Sequence, residues 1–181
     1  MPMHWRRTWA ADPRARALAD RHYSRQQPGT REFAPPGRKV ILVTAQYRAL
    51  WVSQAPAPGI ARADGGDYWY CSLFRNESSR LATVLIRQAI AATRHAWRHV
   101  PLPRDGFVTF INERKVQPPP AGKPWGWTFQ EVGFMEVRRT RVRDLLMLQL
   151  PREALLAIPP RPAPRLGGGV QLCLEDDRCE C

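Results

Sequence analysis

The stretch RKVILVTA, residues 38–45, decides the fold of this chain. Its centre, VILV at residues 40–43, is an unbroken apolar run made mostly of β-branched residues. Such a run is typical of a strand that is buried on both faces, because successive side chains point to opposite sides of a sheet. We therefore expect a sheet that is covered on both faces.

The residues on either side of this run predict a mixed α/β fold. Apolar patterns predict strands at residues 4–9, 38–45, 47–54, 67–75, 106–111, 134–140 and 144–150. They predict helices at residues 12–25 and 80–99 and a short turn or helix within residues 122–133. We expect an antiparallel meander, then a parallel βαβ unit built around the long helix, and a C-terminal hairpin.

Helix boundaries are indicated by capping residues. Asp12 suits the N-cap of the first helix, and Pro13 suits its first position. Ser78 or Ser79 is the expected N-cap of the long helix. The segment after the first helix, HYSRQQPGTREFAPPG at residues 22–37, contains prolines and glycines that predict a loop.

The chain divides into one domain and a tail. Residues 1–150 contain all the predicted strands and helices and are long enough for one hydrophobic core. Residues 151–181 are rich in proline and glycine and are expected to form a flexible tail. The tail carries three of the four cysteines, Cys173, Cys179 and Cys181, without a paired C-x-x-C motif.

The charge of the chain is strongly basic. There are 28 Lys and Arg residues against 16 Asp and Glu, which gives a formal net charge of +12. Most of the basic residues are arginines, which bind phosphate with a bidentate fork. This favours double-stranded DNA as a partner, although a GC-rich genome, which favours arginine codons, is an alternative origin of the charge.

Other sequence features indicate where the protein works. Residues 1–8 lack the apolar segment of a signal peptide, and no apolar run reaches the roughly 18 residues of a membrane span. The cysteine pattern does not form a secreted disulfide framework. We expect a cytoplasmic protein without a membrane partner, located in the host cytoplasm if the gene belongs to a phage.

The order of the predicted elements resembles the GNAT acyltransferase fold. The segment WTFQEVGF, residues 127–134, is similar to the aromatic-x-x-x-x-Gly-Phe element that precedes the last hairpin of that family. GNAT enzymes bind the pyrophosphate of acyl-CoA with a glycine-containing loop before the long helix. Here that loop reads RNESSRL, residues 75–81, without glycine, and Glu77 would repel phosphate.

Three short motifs resemble the phage Mom-like proteins within this superfamily. They are HYS at residues 22–24, FRNE at residues 74–77 and TFIN at residues 109–112. Mom-like proteins convert adenine in DNA to its N6-methylcarbamoyl form and thereby protect phage DNA from restriction. The resemblance implies a transferase that adds a small acyl-derived group to the N6 amine of adenine.

The candidate catalytic residues belong to these motifs. Transfer to an amine needs a proton acceptor and a proton donor, for which His22 and Tyr23 are candidates, with Ser24 beside them. The other candidates, at the ends of strands where ligands commonly bind, are Arg75, Glu77 and Asn112. The structural alternatives are a helix-terminal histidine with a core tyrosine, and a salt-bridged turn between strand and helix.

The donor-binding candidates are Arg75, Asn76, Ser78 and Ser79, which precede the long helix. The sequence leaves the donor open between acetyl-CoA and another acyl or glycyl donor. It also leaves open whether His22 ligates iron, since one histidine does not define a metal site. No metal-binding residue is assigned.

Two groups of arginines are candidates for binding the DNA backbone. In the long helix, side chains at the spacing of the first group fall within about 40° of one another. A solvated charged face is the structural alternative for each group. The first group is Arg80, Arg87, Arg94 and Arg98, and the second, at a hairpin tip, is Arg138, Arg139, Arg141 and Arg143.

Two other functions agree with the same residues. One is an acyl-CoA-dependent N-acyltransferase that acts on a small amine or a protein, against which the glycine-free loop argues. The other is a non-catalytic, basic nucleic-acid-binding module on a GNAT scaffold, in which His22 and Arg75 have no chemical role.

Overall fold

The computed structural model describes residues 1–56 and 62–166. Within these residues a seven-stranded sheet has the order β1-β2-β3-β4-β5-β7-β6 and is accompanied by four helices. In chain order the elements are β1 (Trp5–Thr8), α1 (Pro13–Asp20), β2 (Lys39–Thr44), β3 (Ala49–Gln54), β4 (Trp69–Asn76), α2 (Ala82–Ala96), β5 (Phe107–Ile111), α3 (Trp127–Gln130), β6 (Met135–Arg139), β7 (Leu146–Leu150) and α4 (Arg152–Ala157).

The sheet is mixed, which confirms the predicted α/β class. Strands β1 to β4 pair antiparallel in sequence order. Strand β4 then pairs in parallel with β5, and helix α2 makes the crossover between them. Strand β7 pairs antiparallel with both β5 and β6, so the C-terminal hairpin completes the sheet.

Strand β2 is buried on both faces, as its sequence predicts. Val40 and Leu42 belong to one core cluster, which includes the buried face of α2. Ile41 and Val43 belong to a second cluster, which includes the buried face of α1. All four side chains are at most 3% exposed, so the quoted run lies between two separate hydrophobic layers.

Helix α1 begins where the sequence predicts and ends earlier. The Asp12 carboxylate accepts the backbone N–H groups of Arg14 and Ala15, which confirms it as the N-cap. The helix ends at Asp20 rather than at residue 25. Arg25 bonds the Asp20 carboxylate at 2.7 Å, so the following segment folds back over the helix end instead of continuing it.

Helix α2 begins later than predicted. Its N-cap is Leu81, which is exposed and makes no side-chain cap. The prediction of Ser78 or Ser79 as the cap was therefore wrong. The N–H and hydroxyl of Ser78 instead donate to the side-chain oxygen of Asn76, at 3.0 and 2.6 Å, which closes a turn before the helix.

Strands β4 and β5 separate after a short paired segment. Their last paired residues are Cys71 and Thr109, although β4 continues to Asn76 and β5 to Ile111. On its other edge, β4 carries a register shift opposite Val52 and Ser53 of β3. The divergence opens the sheet at the carboxyl ends of two parallel strands.

Residues 151–166 differ from the flexible tail that the sequence predicts. Leu155 of α4 and the following Ile158 are buried in the same core cluster as α2. Further on, Leu166 donates its N–H to the backbone oxygen of Arg7 in β1. Apolar residues among the prolines therefore attach this segment to the domain, and residues 167–181, with the three C-terminal cysteines, lie outside the described residues.

Within the described ranges, no helix combines the length and the apolar character that crossing a membrane requires.

Candidate active site

A cavity of about 340 Å³ occupies the gap between β4 and β5. The loop after α1 forms one wall, with His22 and Tyr23. Trp125, Trp127 and Phe129, in and just before α3, contribute to the opposite wall. The structure therefore brings the predicted HYS motif to the point where the sheet opens, beside the tryptophan-rich segment.

The imidazole of His22 is neutral and bonded to Ser24. Its Nδ1 accepts the backbone N–H of Ser24 at 3.2 Å, and the Ser24 Oγ lies 2.7 Å from the same nitrogen. Since Nδ1 is an acceptor, the ring proton resides on Nε2 and the serine hydroxyl is the donor. The pair can pass a proton from the hydroxyl to the ring when the hydroxyl receives one from elsewhere.

Burial is the main reason why His22 is uncharged. Burial first, and then the charge of the Arg75 guanidinium, lower the pKa of His22 from 6.5 to about 4, although a backbone hydrogen bond with Phe74 acts in the opposite direction. A positive charge is costly in this position, so the imidazole is a transient proton acceptor at neutral pH rather than a standing cation.

Tyr23 presents a protonated hydroxyl beside the histidine. Its ring centroid is 4.4 Å from that of His22, and its hydroxyl donates to the backbone oxygen of Phe110 at 3.3 Å. Burial raises the pKa of Tyr23. The phenol therefore remains a hydrogen-bond donor at neutral pH, as the sequence-based assignment requires.

Glu77 is held between two arginines. Its carboxylate accepts two bonds from Arg21, at 2.9 and 2.8 Å, and one from the Arg75 Nε at 2.5 Å. The pKa of Glu77 is lowered to about 2, mainly by the hydrogen bonds from Arg21 and then by the hydrogen bond and the charge of Arg75, although burial acts in the opposite direction. Such a carboxylate is a very weak base, so the geometry does not suit the predicted role of proton acceptor.

Arg75 contacts the loop after α1 and does not line the cavity. Besides its bond to Glu77, its Nη1 donates to the backbone oxygen of Arg21 at 2.6 Å. We call Arg21, Arg75 and Glu77 the clamp, since together they tie the residue before His22 to the end of β4. These contacts use the Nε and Nη1 of Arg75, and its role in binding a donor anion stays a prediction.

The other predicted donor-binding residues lie in the turn between β4 and α2. Asn76 and Ser78 bond each other, and the Asn76 amide also donates to the backbone oxygen of Arg80 at 2.9 Å. Ser78 and the exposed Ser79 line a separate depression with Thr44 and Arg48. The predicted donor-binding residues of this turn therefore lie close to one another, but they do not line the cavity that contains His22.

The arginine line predicted along the long helix is not continuous. Arg80 precedes α2 and Arg98 follows it, because the helix is shorter than the sequence indicates. Arg94 donates to the backbone oxygens of Leu156 and Ile158 and so caps α4. Among the four, only Arg87 is an exposed residue within the helix, so the structure corrects the predicted row of four.

The hairpin arginines differ in how strongly they are paired. Arg138 bonds Asp64 at 3.1 Å, and Arg139 bonds Glu113 at 2.6 Å. Arg141 and Arg143 are exposed, and the described residues offer neither of them a hydrogen bond or an ion pair. Two guanidinium groups at the hairpin turn are therefore available for an external anion.

A second depression, which we call the outer groove, adjoins the cavity and shares Tyr23 and Phe110 with it. The outer groove has a volume of about 580 Å³. Its other lining residues include Ser24, Arg25, Tyr70, Asn112, Lys115 and Arg143. Asn112, predicted as catalytic, thus lies in the outer groove beside the cavity.

Sequence analysis missed Tyr70, Phe110 and Lys115. The alternation in DYWYC, residues 67–71, was the available signal, since it places Tyr68 and Tyr70 on the sheet face opposite Trp69. Tyr68 is buried, whereas Tyr70 is only half-buried and open to the groove. An aromatic side chain on a partly covered sheet face is a binding candidate that composition alone does not distinguish from core.

Within residues 1–56 and 62–166, no three His, Cys, Asp or Glu side chains converge as a metal site would require. Comparison of the chain with family models, with curated proteins and with solved structures found no match.

Proposed function

We propose that this chain is a GNAT-like, Mom-like transferase that adds a small acyl-derived group, such as methylcarbamoyl, to the N6 amine of adenine in DNA. In a phage this modification protects the DNA from restriction. The carrying observation is that the cavity containing His22 and Tyr23 shares Tyr23 and Phe110 with an outer groove whose edge carries Lys115 and Arg143, which have no ion pair among the described residues. The cavity suits a reacting group, and the outer groove suits a polyanion.

The fold supports a ligand in this position. In open α/β sheets, ligands bind in the crevice at the carboxyl ends of parallel strands, and β4 and β5 diverge there. The antiparallel strands, the βαβ unit and the final hairpin agree with a GNAT-like arrangement. We assign the donor to the cavity between β4 and β5, and the target amine to the junction of this cavity with the outer groove, where Tyr23 and Ser24 lie.

The transfer step uses the residues of the HYS motif. The N6 nitrogen bonds to the acyl carbon of the donor, and the bond from that carbon to the leaving group breaks. The amine proton passes to the Ser24 Oγ, whose own proton passes to the His22 Nδ1, 2.7 Å away. The Tyr23 hydroxyl donates to the leaving group, and the target base must leave the duplex stack to reach these atoms.

Nucleoside mass spectrometry of plasmid DNA from expressing cells tests the proposal. We expect a modified deoxyadenosine with the native chain, and a yield about 100-fold lower or less with His22→Ala, Ser24→Ala or Tyr23→Phe. The matched control is His99→Ala, since His99 is exposed beyond the end of α2.

The competing functions give different results in the same assay. Unmodified nucleosides from cells containing folded, DNA-binding protein would refute the transferase and support a non-catalytic binding module. Saturable acyl-CoA binding with acylation of a small amine or protein, in the absence of DNA, would support an ordinary N-acyltransferase instead.

A further inference from the structure

The floor of the outer groove is aromatic. Tyr70 and Phe110 are half-buried and rest on the cluster of Tyr68, Val108 and Met147. The Tyr68 ring lies edge-on to both, with centroids 6.5 Å from Tyr70 and 6.3 Å from Phe110. Both rings thus rest on this cluster and line the groove. The Arg62 guanidinium lies over one face of Tyr70, 4.4 Å from the ring centroid, so a ligand can stack only on the other face of that ring.

The edge of the groove carries unpaired positive charge. Lys115 and Arg143 both line it, both are exposed, and neither has an ion pair within the described ranges. Arg25 lines it too, but is bound to Asp20 at 2.7 Å. Among the described residues, no carboxylate lines the outer groove, although Glu32 lines an adjoining depression, so the positive charge is concentrated on the side of Lys115 and Arg143.

The adjoining depression, which shares Tyr70 and Arg143 with the outer groove, is lined by a buried hydrogen-bond donor. Gln54 is only 5% exposed, and its side-chain oxygen accepts the Tyr70 hydroxyl. Its Nε2 is buried and has no hydrogen-bond partner among residues 1–56 and 62–166. An unsatisfied buried amide is costly, and a ligand that brings an acceptor, as every nucleobase does, relieves that cost.

We propose that the outer groove binds an unpaired strand of DNA. Bases stack on Tyr70 and Phe110, phosphates contact Lys115 and Arg143, and the Gln54 amide donates to a base acceptor. In a duplex both faces of each base are covered by its neighbours, so these rings cannot stack on it. The inference depends on the proposed function only for the fate of the base that enters the cavity.

Fluorescence anisotropy with labelled DNA of about 16 nucleotides tests this binding, without any donor present. We compare a mixed-sequence single strand, the corresponding duplex and an abasic strand with the same phosphates. We expect the single strand to bind more tightly than both. Equal or tighter binding of the duplex, or equal binding of the abasic strand, would overturn the proposal.

Variants separate stacking from charge. Tyr70→Leu removes the ring and should weaken binding roughly 5- to 150-fold, whereas Tyr70→Phe keeps the ring and should change it less than about threefold. Replacing Lys115 and Arg143 by alanine should reduce the slope of log affinity against log salt by about 0.7 for each cation. Arg152→Ala, an exposed arginine on α4, is the matched control.

The binding assay and the modification assay can refute the two proposals separately. Preferential strand binding with unmodified nucleosides would leave this inference intact and refute the proposed function. Modified adenine in DNA without a preference for the single strand would do the reverse. An effect of Arg152→Ala as large as that of the groove variants would show general electrostatic attraction and would overturn the groove assignment.

Discussion

The clamp formed by Arg21, Arg75 and Glu77 should contribute pH-dependent stability. Replacing Glu77 with glutamine keeps the shape of the side chain and removes its charge, so both guanidinium groups lose their ionic partner. The pKa of Glu77 falls from 4.5 to about 2 on folding. At about 1.4 kcal/mol for each pKa unit, the upper limit of the contribution is about 3 kcal/mol.

Solvent screening reduces this value. The side chain of Glu77 is 26% exposed and that of Arg21 is 49% exposed. Exposed ion pairs typically contribute roughly 0.2–1 kcal/mol each, and the clamp contains two with several charge-assisted bonds. We therefore expect Glu77→Gln to lower the free energy of unfolding by about 1–2 kcal/mol at pH 7.

The sign of the pH dependence follows from the lowered pKa. The stabilisation is complete above the unfolded-state pKa of 4.5 and is lost as the pH falls through the folded-state pKa of about 2. The difference between the native chain and Glu77→Gln should therefore shrink by more than half by about pH 3.

Urea denaturation of both proteins at about pH 7, 5 and 3 measures this difference. Glu153→Gln, an exposed carboxylate in the first turn of α4, is the control and should change stability by less than about 0.5 kcal/mol. A difference for Glu77→Gln that stays constant from pH 7 to pH 3 would refute the clamp as an ionic interaction.

Two further predictions concern packing and are checked by the same denaturation experiment. Trp5→Phe should lower the free energy of unfolding by about 1 kcal/mol more than Trp51→Phe does. The fully buried Trp5 indole donates to a backbone oxygen of α2 at 2.8 Å, whereas the buried Trp51 indole nitrogen has no partner among residues 1–56 and 62–166. Equal costs would contradict this reasoning. Gly106→Ala should lower the free energy of unfolding by about 2 kcal/mol or more, since the Cβ of the new alanine would lie 2.2 Å from the backbone oxygen of Leu150. Gly122 has a similar positive φ but open space around it, so Gly122→Ala should lower the free energy of unfolding by only about 1 kcal/mol.

The sequence predicted the fold class because its strongest signals are local. Four apolar residues in succession at 40–43 require burial on both faces, whatever surrounds them. Asp12 caps α1 through bonds to residues two and three positions away, so the cap can be recognised from the sequence. The cap of α2 could not be recognised in this way, because Ser78 has a nearer partner in Asn76.

The candidate site was predicted only in part. His22, Tyr23 and Ser24 were identified as a group because they are adjacent in the chain, and the structure places His22 and Tyr23 in the cavity wall. The ion pair between Arg75 and Glu77 agrees with the salt-bridged turn that was the structural alternative, but the contribution of Arg21, more than 50 residues away, was not predictable. No local pattern distinguishes an arginine that binds a ligand from one that binds a distant carboxylate.

By itself, the sequence determined the mixed sheet, the burial of β2 and the start of α1 after Asp12, because hydrophobic periodicity and capping act over a few residues. Only the tertiary structure decided that His22 is neutral, that Arg94 caps α4 and that Tyr70 and Phe110 form one groove. These properties depend on burial and on side chains from separate segments, which come together only when the sheet has formed.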